Sequence, residues 1–363
     1  MKLIKQSFEI LDQQPGLEGI YKQIELAGRT CYKSEDKITE GSAKEFVDRM
    51  IKSGHGAMLE HGTVYLMVHT IDPKDWDTTI ARHPRITIDD VRDYLRTNPT
   101  YDGKGEKNWW AKEAKHIAYE MAVKYADNPY SKVKIVSAKH NINTKGGVIV
   151  TPTGKMPIVT EASGEIISVF NTILIMTNLR VLVENNWLDD LKYICEPTEH
   201  HEKRITVKFI TDQGILREFT RHRRFSFAVE STRYCNYTRD KFSNEVTFIQ
   251  PNWISDEDIK NYHMDLDYFT DQDDNHITAI NRFMSALKKA EYFYMELIKL
   301  GWKPQQARNV LPLATKCDMV MTGFVSDWKN FFELRDAASA HPQAQELAHS
   351  LHEIFIQRGY IKD

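Results

Sequence analysis

The sequence predicts an α/β (α+β) chain in which a mixed or antiparallel sheet is flanked by long helices. Three observations point to it. Residues 63–70 (TVYLMVHT) are rich in β-formers and read as a strand. Residues 204–211 (RITVKFIT) alternate apolar and polar, the pattern of a second strand. Between 275 and 300, Ile277, Ile280, Met284, Leu287, Tyr294 and Ile298 mark a long helix that stops at Gly301. The two strands are expected in one sheet.

The other elements follow in order. Leu17, Ile20, Ile24 and Ala27 sit at helical spacing. Ser42 suits an N-cap for a helix through Phe46, Val47 and Met50 that ends near Gly54. Residues 71–202 read as helices over 74–81, 88–96 and 109–125, then strands over 132–137, 148–151 and 158–160. The Pro152-Thr153-Gly154 turn joins the last two as a hairpin. Closing helices are expected over 304–311, 326–338 and 343–357.

Composition narrows the function classes. A chain of 363 residues suggests two to three domains or one enlarged domain. With 41% hydrophobic and 27% charged residues it can build a core, which excludes wholesale disorder. Lys+Arg is 48 and Asp+Glu 51, a net charge of −3, so a general nucleic-acid coat is excluded and any anion site must be a local cluster. Cys31, Cys195, Cys235 and Cys317 form no C-x-x-C pair; neither disulfide framework nor zinc ribbon is expected, and a reducing cytoplasm fits. Lys5, Gln6 and Ser7 interrupt the N-terminal apolar run, which makes a poor signal peptide. The most apolar stretch, 166–183, contains Asn171, Asn178 and Arg180 and reads as a buried element, so no membrane partner is expected.

The densest chemistry is Arg221-His222-Arg223-Arg224, followed by Ser226 and by Glu230-Ser231-Thr232-Arg233-Tyr234. Guanidinium forks match phosphate oxygens two bonds at a time, and Ser and Thr hydroxyls add donors. An anion site is one reading and a solvated basic face another. Phe225, Phe227, Tyr234 and Tyr237 lie among the basic residues, so stacking on single-stranded nucleic acid is a third.

Arg221-His222-Arg223, seven intervening residues, then Ser231-Thr232-Arg233-Tyr234, resembles the signature of the flavin-dependent thymidylate synthases. His55-Gly56 with Leu59-Glu60-His61 ahead of a strand is similar to a second family segment. Ala307-Arg308-Asn309-Val310-Leu311-Pro312 is similar to a third, with Thr322, Asn330 and Leu334-Arg335 at the family's spacing after it. Ala27-Gly28-Arg29-Thr30-Cys31-Tyr32 is a looser match. The resemblance covers about 20–70 and 203–350. It implies three regions: 1–70 as the N-terminal part of a catalytic domain, 71–202 as an insertion or accessory region, and 203–363 as the rest.

The resemblance further implies conversion of dUMP to dTMP, with methylenetetrahydrofolate as carbon donor, FAD as hydride donor and NADPH as reductant, in a cytoplasmic homotetramer whose sites draw on several subunits. It places Glu218, Arg221, Ser231, Thr232, Arg233, Arg308 and Arg335 at dUMP, and His61, Arg221, His222, Arg223 and Asn330 at FAD. Arg308, Arg221 and Ser231 carry the catalytic assignment. Ser231 acts by binding, since no base for covalent attack is evident beside it. The alternative is a single-stranded nucleic-acid or nucleotide-binding protein of the same fold without catalysis; no stable nucleic-acid partner is expected under the leading reading.

Departures from the family pattern bear on the flavin. Its Asn two residues after the first Ser is Ala228 here, and its T-x-N-x-R stretch reads Thr322-Gly323-Phe324-Val325-Ser326. Thr177-Asn178-Leu179-Arg180 could supply replacement contacts or be an ordinary strand-to-helix junction. Other motifs fail on spacing. Gly147 and Gly154-Lys155 do not make a P-loop, Gly103-Lys104-Gly105 lacks a third glycine, and no metal site is expected, His200-His201 reading as a charged turn. Cys235 reads as structural.

Overall fold

A computed structural model of the chain describes residues 1–69, 80–82, 87–97, 109–143, 165–239, 242–260 and 278–362. Two short strands come first, β1 (Lys2–Ile4) and β2 (Ser7–Leu11). Helix α1 (Gly16–Tyr32) follows, because its apolar residues recur every three or four positions and share one side; Ile20, Ile24 and Ala27 are buried there. Helix α2 (Ser42–Lys52) is capped by Gly41, not Ser42. Ser42 is the first helical residue, and its hydroxyl donates to Glu25 Oε2 at 2.8 Å while accepting the Thr39 N–H at 3.0 Å. Gly28 is where α1 and α2 touch: a Cβ there would lie 2.4 Å from Phe46 Cζ. The one-turn helix α3 (Gly56–Leu59) leads to strand β3 (Thr63–His69).

The chain divides into two compact units, residues 1–62 with 203–363, and residues 63–202. The second unit holds a four-stranded antiparallel sheet. It contains β3, β4 (Ile80–Arg82), β5 (Lys132–Asn143) and β6 (Glu165–Asn178), with helices α4 (Ile88–Thr97) and α5 (Trp109–Ala126). The 166–183 stretch becomes β6 and the short helix α6 (Leu179–Glu184), whose first turn is capped by Asn178. The expected helix over 74–81 lies outside the described residues apart from Ile80 and Ala81, which are strand. The expected strands at 148–151 and 158–160, and their turn, lie outside them altogether.

One expectation is corrected. Strands 63–69 and 204–212 belong to different sheets. β3 pairs with β6, from Thr63↔Asn178 to His69↔Thr172. Strand β7 (Arg204–Asp212) already has a partner on each side and offers no free edge. β3 is therefore part of the unit that begins at Thr63, not of the N-terminal piece.

In the first unit β7 continues into helix α7 (Gln213–Phe219), and strand β8 (Ser226–Val229) follows. Next come β9 (Thr247–Ile249), which pairs with β1, and helices α8 (Asp256–Lys260), α9 (Ala279–Lys299) and α10 (Pro304–Ala307). Strand β10 (Lys316–Phe324) and helices α11 (Val325–Arg335) and α12 (Pro342–Gln357) complete it. The sheet order is β2-β7-β10-β8, antiparallel throughout.

Alternation gives this sheet two different faces. Ile205, Val207 and Phe209 with Met319 and Met321 face an aromatic core of Phe219, Phe225, Trp328, Phe331, Phe332 and Phe355. Val320 of β10 and Ala228 of β8 pack instead against Ala27 of α1. Trp328 is fully buried, and its indole N–H donates to Ile205 O at 3.2 Å. Trp328→Ala is therefore expected to lower unfolding free energy by about 3–5 kcal/mol with an unchanged denaturant slope, read by urea titration.

Candidate functional site

Two aromatic anchors set the conformation of the basic segment. Phe219 ends α7 and Phe225 precedes β8, and both are buried in the aromatic core. The residues between them must turn tightly: His222 N–H donates to Phe219 O at 3.1 Å and Phe225 N–H to His222 O at 3.2 Å. The turn sends the charged neighbours outward, leaving Arg221 73% and Arg224 85% exposed. His222 points inward, with Phe331 at 5.1 Å and Phe225 at 6.2 Å between ring centres.

Arg335, the last residue of α11, locks this turn. Its Nη1 donates to Glu218 Oε2 at 2.6 Å, its Nη2 to Glu218 O at 2.8 Å, and its Nε to His222 Nε2 at 3.0 Å. His222 Nε2 is thus an acceptor, so the neutral ring carries its proton on Nδ1. Burial, and then the Arg335 charge, pull the His222 pKa down from 6.5 to about 4, against the pull of Glu218.

The result is a cavity of about 610 Å³. Arg221, Arg223, Arg224 and Arg335 line it together with His222, Phe225, Ser326, Asp327, Asn330 and Leu334. Two carboxylates answer the four guanidinium groups. Glu218 takes Arg335 and lies 3.8 Å from Arg221, and Asp327 lies 3.8 Å from Arg224. Such a surplus of forked donors fits phosphate oxygens. Asn330 of α11 faces the same space. Ser326 is on the wall, whereas Phe324 is buried, with the Arg204 guanidinium 5.4 Å above its ring.

The signature's second half forms a separate place. After β8, Glu230 N–H donates to Asp318 O at 2.8 Å and Ser231 N–H to Cys31 O at 3.0 Å. Ser231 O then accepts from Tyr234 N–H and Cys235 N–H, both at 3.0 Å, which closes a tight turn. Thr232 Oγ1 accepts from Arg308 Nη1 at 3.0 Å. Around this pair is a cavity of about 340 Å³, with Arg217 and Gln213 of α7, Asn309 and Leu313 also on its wall. Arg233 is exposed, its guanidinium 5.4 Å from the Tyr234 ring centre. Cys235 is buried beside Tyr237, Val246 and Phe248.

Beneath that turn lies a cluster of charges. Lys316 Nζ reaches Glu230 Oε2 at 2.8 Å and Asp318 Oδ1 at 2.5 Å. Lys33 Nζ pairs with Asp318 and lies 3.8 Å from Glu230. Lys208 is 3.6 Å from Asp318, and Glu35 is 3.7 Å from both Lys33 and Lys208. Burial alone would raise the Asp318 pKa, but Lys316 and Lys33 outweigh it and hold the carboxyl below its usual range. Lys316 is pushed above its ordinary value by Glu230 and Asp318 despite burial.

The sequence-assigned residues therefore separate. Glu218, Arg221, His222, Arg223, Asn330 and Arg335 gather at the first cavity; Ser231, Thr232, Arg233 and Arg308 gather at the second loop. The two linings share no residue. His61 lines neither cavity. It is wholly enclosed, its Nδ1 2.8 Å from Thr322 Oγ1, which in turn meets Thr206 Oγ1 at 2.9 Å. Thr177–Arg180 forms a strand-to-helix junction in which Arg180 pairs with Glu184 at 2.7 Å. Arg217, Asp327 and the lysine–carboxylate cluster escaped sequence reasoning. The signal that could have found part of it is the spacing of Lys316 and Asp318, which two apart on a strand share one face.

Because folded His222 is neutral, the unfolded chain takes up a proton first as pH falls. Its contribution to stability is complete above about pH 6.5 and drains away towards about pH 4. His222→Gln should remove that part of the pH dependence, measured by urea unfolding at pH 7.5 and pH 5.

Residues 194–358 match the family model described as thymidylate synthase complementing protein. The chain is 27% identical over 153 residues to a probable flavin-dependent thymidylate synthase of Paramecium bursaria Chlorella virus 1, covering 42% of this chain and 66% of that protein. It is 27% identical over 163 residues to the flavin-dependent thymidylate synthase of Haloarcula marismortui, covering 44% and 64%. For the enzyme of that name from Synechocystis sp. the values are 27% over 154 residues, 42% and 66%. The chain thus spans just under two thirds of the length of these curated relatives. A UMP/dUMP methylase from Streptomyces cacaoi, solved with 5-Br UMP bound, is 21% identical with a TM-score of 0.32, covering 42% of this chain and 69% of that one.

Proposed function

Residues 194–358 are a region of the thymidylate synthase complementing protein family, and from that premise we propose that the protein is a flavin-dependent thymidylate synthase that methylates dUMP to dTMP. Methylenetetrahydrofolate is the carbon donor and NADPH the reductant. The observation that carries the reading is the four-arginine cavity held by Arg335. The donor set tests the fit to FAD: guanidinium groups outnumber carboxylates there, and the Asn330 amide faces the same space, which suits a diphosphate. FAD supplies hydride transfer when bound.

The chain's own residues do the positioning. Arg221, Arg223 and Asn330 hold the cofactor's phosphates. Neutral His222 accepts from Arg335 and keeps that guanidinium aimed at the cavity. Arg308 and Thr232 hold the pyrimidine nucleotide, and the Arg308 charge favours the negative charge that develops on the ring as carbon 5 becomes nucleophilic. Ser231 spends its N–H on Cys31 O, which leaves its hydroxyl for binding. Residues assigned to one nucleotide lie at two cavities, and we read these as two parts of one site completed between copies of a homotetramer.

Two outcomes test the reading. Purified protein should show flavin absorbance that NADPH bleaches anaerobically and that returns, with dTMP formed, only when dUMP and methylenetetrahydrofolate are both added. Arg335→Ala, which unlocks the turn that carries Arg221 and Arg223, should lose retained flavin, and, as the resemblance places Arg335 itself at dUMP, should weaken dUMP binding with it. Arg308→Ala should keep flavin while weakening dUMP about ten- to hundredfold, the worth of a charged hydrogen bond. A colourless protein that takes up no FAD, ignores dUMP and binds oligonucleotides with steep salt dependence would support the nucleic-acid reading instead, for which the exposed Arg233–Tyr234 pair is the relevant feature.

A further inference from the structure

The lysine–carboxylate cluster beside the signature loop has no part in the mechanism above, and it is an unusual thing to build into a small sheet. Lys33, Lys208 and Lys316 meet Glu35, Glu230 and Asp318. The Glu230 and Asp318 side chains are only 1% and 3% exposed. Each ion removed from water this way carries a desolvation penalty that good pairing only offsets, so apolar residues of like volume would serve stability as well or better. What a paired buried network does supply is a single geometry, because any displacement leaves a charge uncompensated.

The elements it joins indicate what geometry is held. Lys208 comes from β7, Lys316 and Asp318 from β10, and Lys33 and Glu35 from the segment just past α1. Glu230 is the first residue after β8 and the one immediately before Ser231. Its backbone N–H donates to Asp318 O at 2.8 Å, and its carboxylate accepts the Asp318 N–H at 3.1 Å and Lys316 Nζ at 2.8 Å. Next along, Ser231 N–H donates to Cys31 O, two residues before Lys33. The loop is thus clamped from the sheet and from α1 at the two residues that precede Thr232 and Arg233.

We propose that Glu230, through Lys316, Asp318 and Lys33, is a positioning residue that pre-sets the Ser231–Thr232–Arg233 loop for a pyrimidine nucleotide. This rests on the dUMP reading above. The loop then needs little ordering when the nucleotide arrives, and a displacement of the hydroxyl and guanidinium donors lowers affinity without touching the arginine cavity.

Because Glu230→Gln alone leaves a buried lysine short of charge and can unfold the protein, the decisive variant removes both partners: Glu230→Met with Lys316→Met. The double variant should melt near the wild-type temperature and retain flavin, while binding dUMP about tenfold more weakly. It should also be cut faster by trypsin at the Arg233–Tyr234 bond, read by mass spectrometry. Wild-type dUMP affinity and wild-type cleavage in that variant would overturn the proposal and leave the cluster a purely stabilising one. The untouched protein gives a further check: Glu230 and Ser231 amides should exchange hydrogen as slowly as those of β10, and exchange at ordinary loop rates would equally overturn it. Should the wild type bind no dUMP, the functional reading fails, and the cleavage and exchange results still decide whether the network holds the loop.

Discussion

Nine consecutive residue pairs join β7 to β10, from Lys316↔Asp212 to Phe324↔Arg204. The rest of the site-bearing unit hangs on that register. Each strand runs straight into a helix, β7 into α7 and β10 into α11, and antiparallel pairing makes these helices start at opposite ends of the ladder. They meet over the aromatic face, where Phe219 and Phe331 lie 4.9 Å apart edge to face. Only then does Arg335, at the far end of α11, reach Glu218 near the end of α7. A slip of one residue would turn the aromatic and charged faces over and separate the two.

The two faces of the sheet have different physics. The aromatic face is held by dispersion and by exclusion of water, and it gives the arginine turn a rigid backing. The opposite face is largely polar: Thr206 and Thr322 with His61, then Lys208, Lys316 and Asp318. Burial and the Arg204 charge bring the His61 pKa to about 3, so its ring stays neutral within a chain of hydroxyls. The arginine cavity and the Ser231–Arg233 loop thus draw on different forces.

Much of the fold was legible along the chain. The strong period-2 run at 204–211 and the 3.6-residue pattern of the long helix are local signals, and β7 and α9 appear within a few residues of where they were expected. Cap residues were less legible. Ser42 looked like a cap because of its side-chain type, yet Gly41 occupies that position with its left-handed backbone, and Ser42 bonds sideways to Glu25. Strand partners were not legible at all. Nothing in TVYLMVHT says that its neighbour is β6, more than a hundred residues on, instead of β7. Hydrogen-bonded edges are satisfied wherever the chain first finds a matching partner, and that is a global property.

The sequence by itself determined which chemical groups this protein can deploy: the arginine-rich turn, the order of the segments that resemble the flavin-dependent thymidylate synthases and the periodicity of its strongest elements. These depend on residue type and short spacing, which survive without a fold. Only the tertiary structure decided how the same residues are deployed. It divided them between two cavities and drew His61 into the core. It set Arg335 across Glu218 and His222, and built a charged network from lysines and carboxylates spread from residue 33 to residue 318. Ion pairs and hydrogen bonds act over a few ångströms, and the distances that matter to them exist only once the sheet has brought distant segments together.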